Sequence, residues 1–221
     1  MDQMASAVGA MVSIDLEDPE CPKITPIAFD FAACGYALCI IDTRASHADL
    51  TDEYAAITRE LKAISGHFGK DVLRQVPEAD FYREIPVLRK EWGDRAVMRA
   101  IHFYEENDRV PLQVEALQKG DFETYLQLMK ESGFSSYTAL QNVIPTGAVA
   151  QQDVAIALAL CKKLLKGTGG YRVHGGGFAG TVQAFVPNEL LAEFKTGIDQ
   201  VLGEGACHIL SIRPQGGVEA E

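Results

Sequence analysis

Tyr171-Arg172-Val173-His174-Gly175-Gly176-Gly177-Phe178-Ala179-Gly180-Thr181-Val182 is the stretch on which the fold reading turns. Strand-forming residues flank a glycine run, so the pattern reads as strand, tight loop, strand, the second strand continuing to Val186. Glycine lacks Cβ and tolerates positive φ, so such a loop can approach a ligand or another chain segment closely. The same residues spell G-x-G-x-x-G through Gly175, Gly177 and Gly180, and G-x-G-x-x-G-x-V ending at Val182. A dinucleotide fingerprint needs its glycines to open a helix whose N-terminus holds the pyrophosphate, and here Gly180 opens a strand. A protein-kinase loop does lie between strands, but it requires H-R-D and D-F-G downstream, and neither occurs in the 39 residues after Val182. A tight strand-to-strand connection that holds no ligand stays open at this point.

Working outward, Met1 to Val8 reads as a short helix stopped by Gly9. Three strand-like runs follow: Met11 to Leu16, Ile24 to Phe29, and the nearly all-apolar Tyr36 to Asp42, which belongs in the middle of a sheet. Thr51 is placed to cap a helix running to Ile64, with Asp52 and Glu53 complementing its dipole. Ala79 to Glu91, Asp94 to Lys119 and Asp121 to Ser132 are amphipathic, and Pro111 predicts a kink or split in the second. Gln151 to Leu165 is a strongly apolar helix. After the glycine run, Asn188 is placed to cap a helix to Leu202, and a last strand covers Cys207 to Arg213. Strands, then helices, then strand–loop–strand–helix–strand predict an α+β fold: a ferredoxin-like antiparallel sheet, helices on one face, with a helical insertion.

The composition describes an ordinary globular chain: 221 residues, 47% of them hydrophobic, with a formal net charge of −11. No Lys/Arg-rich run is present, which argues against nucleic-acid and anionic-membrane partners. Five scattered cysteines (Cys21, Cys34, Cys39, Cys161 and Cys207) form no C-x-x-C pair, which argues against a disulfide framework or a zinc site and for a reducing cytoplasm. No apolar run approaches the length of a membrane span.

Three separated pieces together resemble the galactokinases of the GHMP small-molecule kinase superfamily. Arg172 to Gly180 is similar to that family's R-M-T-G-G-G-F-G-G, with Val, His and Ala replacing Met, Thr and one Gly. Met1-Asp2-Gln3 resembles its G-I-M-D-Q, and Glu53-Tyr54 its S-E-Y. His102, Glu106 and Arg109 follow its H-x-x-x-E-x-x-R helix, and Gly120-Asp121-Phe122 with Leu128 to Ser132 follows its G-D-x…L-M-x-x-S. The family often continues Ser-His, where this chain has Ser132-Gly133.

The resemblance implies that Asp2 is the catalytic carboxylate facing the sugar hydroxyl, that Tyr54 lies in the sugar pocket, and that Gly175, Gly176, Gly177 and Gly180 line the cleft. A carboxylate in hydrogen-bond reach can orient such a hydroxyl and take its proton during phosphoryl transfer. A tyrosine offers a hydrogen-bonding phenol and a flat apolar face. Spacing alone puts His102, Glu106 and Arg109 on one helix face, read as a solvated or interface salt-bridge face.

The implied reaction is ATP- and Mg-dependent conversion of galactose to galactose 1-phosphate. The family's Gly/Ser-rich phosphate loop has no counterpart in these residues, so no cofactor is expected on this chain alone and no metal site is assigned. The expected arrangement is a C-terminal portion: residues 1–10 as a remnant of the catalytic helix at a domain interface, and 11–221 as a GHMP kinase C-terminal domain. Its expected partners are a small sugar and a missing N-terminal kinase domain. Exposed apolar surface around Met1 to Met11 is expected to favour self-association. A non-catalytic sugar-binding or regulatory relative, and a GHMP kinase for another sugar, are the alternative readings.

Overall fold

The glycine run joins two antiparallel strands, as its flanks predict. The computed structural model describes residues 2–18, 20–46, 50–213 and 215–217, the side chains of Asp2 and Gln3 excepted. Helix α1 (Asp2–Val8) leads into strands β1 (Met11–Asp15), β2 (Lys23–Ile27) and β3 (Tyr36–Asp42). Four helices follow: α2 (Thr51–His67), α3 (Glu78–Trp92), α4 (Asp94–Gln118) and α5 (Phe122–Ser135). A π-helical turn (Ser136–Leu140) and α6 (Asp153–Leu165) lead to β4 (Gly170–His174), β5 (Thr181–Pro187), α7 (Leu191–Leu202) and β6 (Cys207–Leu210).

Among the described residues the main sheet has the order β4-β5-β3-β6, every neighbouring pair antiparallel. β3 and β4 therefore run parallel with β5 between them, and β5 and β6 run parallel with β3 between them. This is the split βαβ pattern of a ferredoxin-like sheet, with α2 to α6 inserted in the first crossover. β1 and β2 form a separate antiparallel pair.

Period-2 alternation gives the sheet two apolar faces. Cys39, Ile41, Val173, Val182, Ala184 and Val186 point one way, into a core closed by Val154, Ala157, Cys161 and Leu165 of α6 and Phe194 and Ile198 of α7. Phe185 points the other way, onto Leu117, Phe122, Leu126 and Met129. Helices thus cover both faces rather than the single face expected, because α5 lies directly against β4. Phe185 is 1% exposed, and replacing such a ring by alanine costs about 3–5 kcal/mol. The inserted helices carry a core of their own around Ile64, Phe81, Leu88, Val97 and Tyr104.

Three local expectations change. Thr51 does not cap α2: it is the first helical residue, and Leu50 holds the cap position without a side-chain bond. Asn188 opens a 3-10 turn before α7 instead of capping it, its N–H donating to the Gly35 carbonyl. Pro111 does not split α4, which runs as one 25-residue helix. Val110, Pro111 and Leu112 are exposed, so the missing N–H falls on a solvent-facing stretch of the helix. Asp121 does cap α5, its carboxylate accepting from the Thr124 N–H at 3.0 Å.

Candidate functional site

β4 and β5 are paired out to His174 and Thr181, which leaves Gly175 to Gly180 as the loop between them. Its backbone is strongly left-handed: φ is +72° at Gly175, +80° at Gly177, +58° at Phe178 and +85° at Gly180. For Phe178, which has a Cβ, this conformation costs about 1–2 kcal/mol. Strain of this kind persists only where the surroundings impose it, and it gathers at functional sites.

Three chain segments impose it here. From α2, the Tyr54 hydroxyl donates to the Gly177 carbonyl at 2.8 Å, and its ring meets Phe178 edge-on at 5.5 Å. A Cβ on Gly176 would lie 2.9 Å from the Tyr54 ring, so the loop backbone lies flush on that ring. From the segment after the π-helical turn, Asn142 Nδ2 donates to the Gly176 carbonyl at 3.1 Å and its own carbonyl accepts from the Phe178 N–H at 2.5 Å. A Cβ on Gly177 would stand 2.0 Å from that Asn142 carbonyl oxygen, which is why only glycine fits. From the end of β3, Thr43 donates to the Gly180 carbonyl through both N–H (3.0 Å) and Oγ1 (2.7 Å). Burial pushes the Tyr54 phenol above its ordinary pKa, keeping its proton on as a donor at neutral pH.

An ionic scaffold with the buried Arg99 at its centre holds these segments. Glu60, on the same helix as Tyr54, pairs with Arg95 at 2.5 Å and Arg99 at 2.8 Å. Arg99 is 1% exposed, and its Nε donates to the Leu140 carbonyl at 3.0 Å, fixing the chain two residues before Asn142. Burial pulls the Arg99 pKa down, and the Glu60 carboxylate opposes that pull. Glu53 accepts the Thr146 N–H at 2.6 Å and ties the far end of the same segment to α2.

A second polar group anchors β4 just before the loop. Arg172 donates to the hydroxyls of Ser132 and Ser136, and Ser132 donates to Glu106 at 2.7 Å. Glu106 also pairs with Arg109, and His102 Nδ1 lies 2.9 Å from Ser135 Oγ. Of the two expectations for the His102–Glu106–Arg109 face, solvated or interface salt-bridge, the second holds: the three belong to a network joining α4 to α5 and β4. Burial pulls the His102 pKa down. Gly133 sits at the same junction: a Cβ there would come within 2.9 Å of Arg172 Cβ and 3.1 Å of the Tyr171 carbonyl. The close seat of α5 on β4 thus leaves no room for the histidine that the family motif often carries.

Of the residues singled out from sequence, Tyr54, Gly176, Gly177 and Gly180 come together in one clamped wall. Gly175 lies open, with nothing within 4 Å of a Cβ built on it. The backbone of Asp2 opens α1, and its side chain lies outside the described residues. Sequence reasoning missed Asn142, Thr43 and Arg99. Thr43 directly follows a legible strand, whereas Asn142 carries no local signal.

No three His, Cys, Asp or Glu side chains among the described residues are grouped to hold a metal ion. The Phe178 N–H is committed to the Asn142 carbonyl, and the loop bridges two strands rather than opening a helix.

No family model matches the chain. The fold is that of a GHMP kinase: it superposes on L. major mevalonate kinase in complex with R-mevalonate (TM-score 0.50, 14% identity, 89% of this chain and 47% of that one). It superposes better on Lactococcus lactis galactokinase complexed with galactose (TM-score 0.69, 21% identity, 95% of this chain and 52% of that one). In sequence, the galactokinase of Actinobacillus pleuropneumoniae serotype 3 (strain JL03) is 32% identical over 189 residues, 86% of this chain and 46% of that protein. The chain is a galactokinase homologue that fits a C-terminal portion of a GHMP kinase, and it spans about half the length of the curated relatives it matches.

Proposed function

We propose that this chain forms one wall of a galactokinase-type sugar site and takes part in ATP- and Mg-dependent phosphorylation of galactose to galactose 1-phosphate. The observation that carries the reading is the Tyr54–Gly177 bond. It joins two motifs 123 residues apart in the chain, each separately similar to a galactokinase motif, into a single rigid surface. In this reading Tyr54 packs against the sugar, and the Asp2 carboxylate orients the accepting hydroxyl and takes its proton as the phosphoryl group transfers. Gly175 to Gly180 line the cleft and exclude water from it.

ATP and Mg belong to residues outside these 221, in an N-terminal kinase domain that is the proposed partner of this portion. In this division residues 1–10 are the edge of the catalytic helix and 11–221 the C-terminal domain. The chain alone is accordingly proposed to bind galactose weakly, because the facing half of the site does not pre-organise it, and not to turn over. Apolar side chains on α1 and Met11 are proposed to drive self-association, which light scattering across concentrations reads directly.

Ligand-observed saturation-transfer NMR with galactose, run beside a coupled assay with galactose, ATP and magnesium, tests this. The expected result is saturation transfer that Tyr54→Ala abolishes, with no turnover. Absence of transfer from galactose overturns the sugar-site reading, and turnover by the purified chain overturns the division of labour.

A further inference from the structure

Helix α1 has seven residues. Isolated helices shorter than about 12–15 residues are marginal in water, and Ala5 to Val8 are exposed here, so little packing holds α1 in place. Among the described residues 4 to 10 the buried one is Gly9, and what lies against it is Gln215 and Gly216.

Arg213 and Gln215 to Gly217 lie against Ala7 to Ala10. The Ala10 N–H donates to the Arg213 carbonyl at 2.8 Å, and the Gly217 N–H donates to the Ala7 carbonyl at 3.0 Å. The Ala7 carbonyl is among the last four of α1, which have no partner inside the helix, so the C-terminal segment caps α1 from more than 200 residues away. Arg213 Nη2 donates to the Gly216 carbonyl at 3.0 Å and holds that segment curled.

The crossing admits only glycine on both sides. A Cβ on Gly9 (φ +76°) would stand 2.3 Å from the Gly216 nitrogen, and a Cβ on Gly216 would stand 2.0 Å from the Ala7 carbonyl oxygen. Each obstacle is backbone and cannot rotate away. Both glycines are buried although the residues flanking them are exposed or only partly covered.

We infer that Arg213 together with Gln215 to Gly217 forms a strap that positions α1, with Gly9 and Gly216 as its positioning residues. Resting on the proposed role of Asp2, the strap makes the setting of the catalytic helix depend on the C-terminal segment.

Hydrogen exchange on the intact chain, on Gly216→Ala and on a chain ending at Ile212 tests this. The truncation removes the strap without introducing a clash, so it carries the test if Gly216→Ala does not fold. Amides of residues 6 to 10 are expected to exchange at least about tenfold faster in both variants, while Val182 and Ala184 in β5 keep their protection. Wild-type rates at residues 6 to 10 in the truncated chain overturn the strap. Galactose saturation transfer supplies the functional readout. It is expected to fall on truncation although the Tyr54–Phe178 ring signals stay in place, and a truncated chain that retains full transfer overturns the positioning role. Absent transfer in the wild type counts against the sugar-site reading alone, and the exchange rates still decide the strap.

Discussion

The Tyr54 hydroxyl donates to the Gly177 carbonyl at 2.8 Å, tying the second residue pair of a helix to a loop that lies beyond the whole helical insertion. Tyr54→Phe keeps the ring against Gly176 and Phe178 and removes only this bond. We expect it to destabilise the fold by about 1 kcal/mol, the usual net worth of such a bond, seen as a lower urea midpoint with an unchanged slope. A midpoint equal to wild type would show that the bond holds nothing.

The loop glycines are predicted to differ sharply from one another. Gly175→Ala meets no atom within 4 Å and carries only the positive-φ penalty, about 1 kcal/mol. Gly176→Ala displaces the Tyr54 ring, which can move, and loses its hydroxyl bond; the cost is about 1–2 kcal/mol. Gly177→Ala places a methyl group 2.0 Å from the Asn142 carbonyl oxygen, which is backbone, and we expect a loss of more than about 3 kcal/mol. Thermal melts of the three variants test the order, and Gly175→Ala proving the most damaging would refute this account of the clamp.

Gly133→His restores the residue that the family motif often carries. Because α5 lies so close to β4 at this point, the change is expected to lower stability by about 1–3 kcal/mol through overpacking and to disturb the Arg172–Ser132 bond. A variant as stable as the parent would mean that α5 can shift away from β4 freely.

His102 predicts acid sensitivity. Burial lowers its folded-state pKa, so the unfolded chain binds a proton that the native imidazole refuses. The contribution is complete above about pH 6.5, the unfolded value, and is lost as pH falls from there through the lowered folded value. Urea midpoints should drop between neutral and mildly acid pH in the wild type, and His102→Gln should flatten that slope. Parallel profiles would assign the acid sensitivity to other groups.

Thiol chemistry reports on the core directly. Cys39, Cys161 and Cys207 are buried and Cys21 is exposed. The neighbouring Cys207 and burial together push the Cys39 thiol up, and burial does the same for Cys161. A thiol-specific reagent is expected to modify Cys21 first in the native protein, and the buried three only on adding denaturant. Rapid native reaction of Cys161 would mean that α6 opens locally.

The strand–loop–strand unit was legible because glycines between β-formers leave few other conformations. The ferredoxin-like sheet was legible because element order restricts topology so severely. What escaped had no local cause. Nothing around Asn142 marks it as a clamp, since its role exists only once Arg99 has fixed the Leu140 carbonyl. The His102–Glu106–Arg109 spacing gives one helix face but not what covers it, and an interior network has the same periodicity as a solvated one. The significance of Gly216 likewise appears only where Gly9 meets it.

The placement of β3 at the centre of the main sheet sets a schedule for folding on the ribosome. β3 ends at Asp42, yet its two neighbours, β5 and β6, begin at Thr181 and Cys207. The apolar strand thus emerges well over a hundred residues before anything can pair with it, while the helices between condense from local contacts. During synthesis this strand is an unpaired sticky segment, and a nascent chain stalled before Thr181 is the form in which this protein most needs a chaperone.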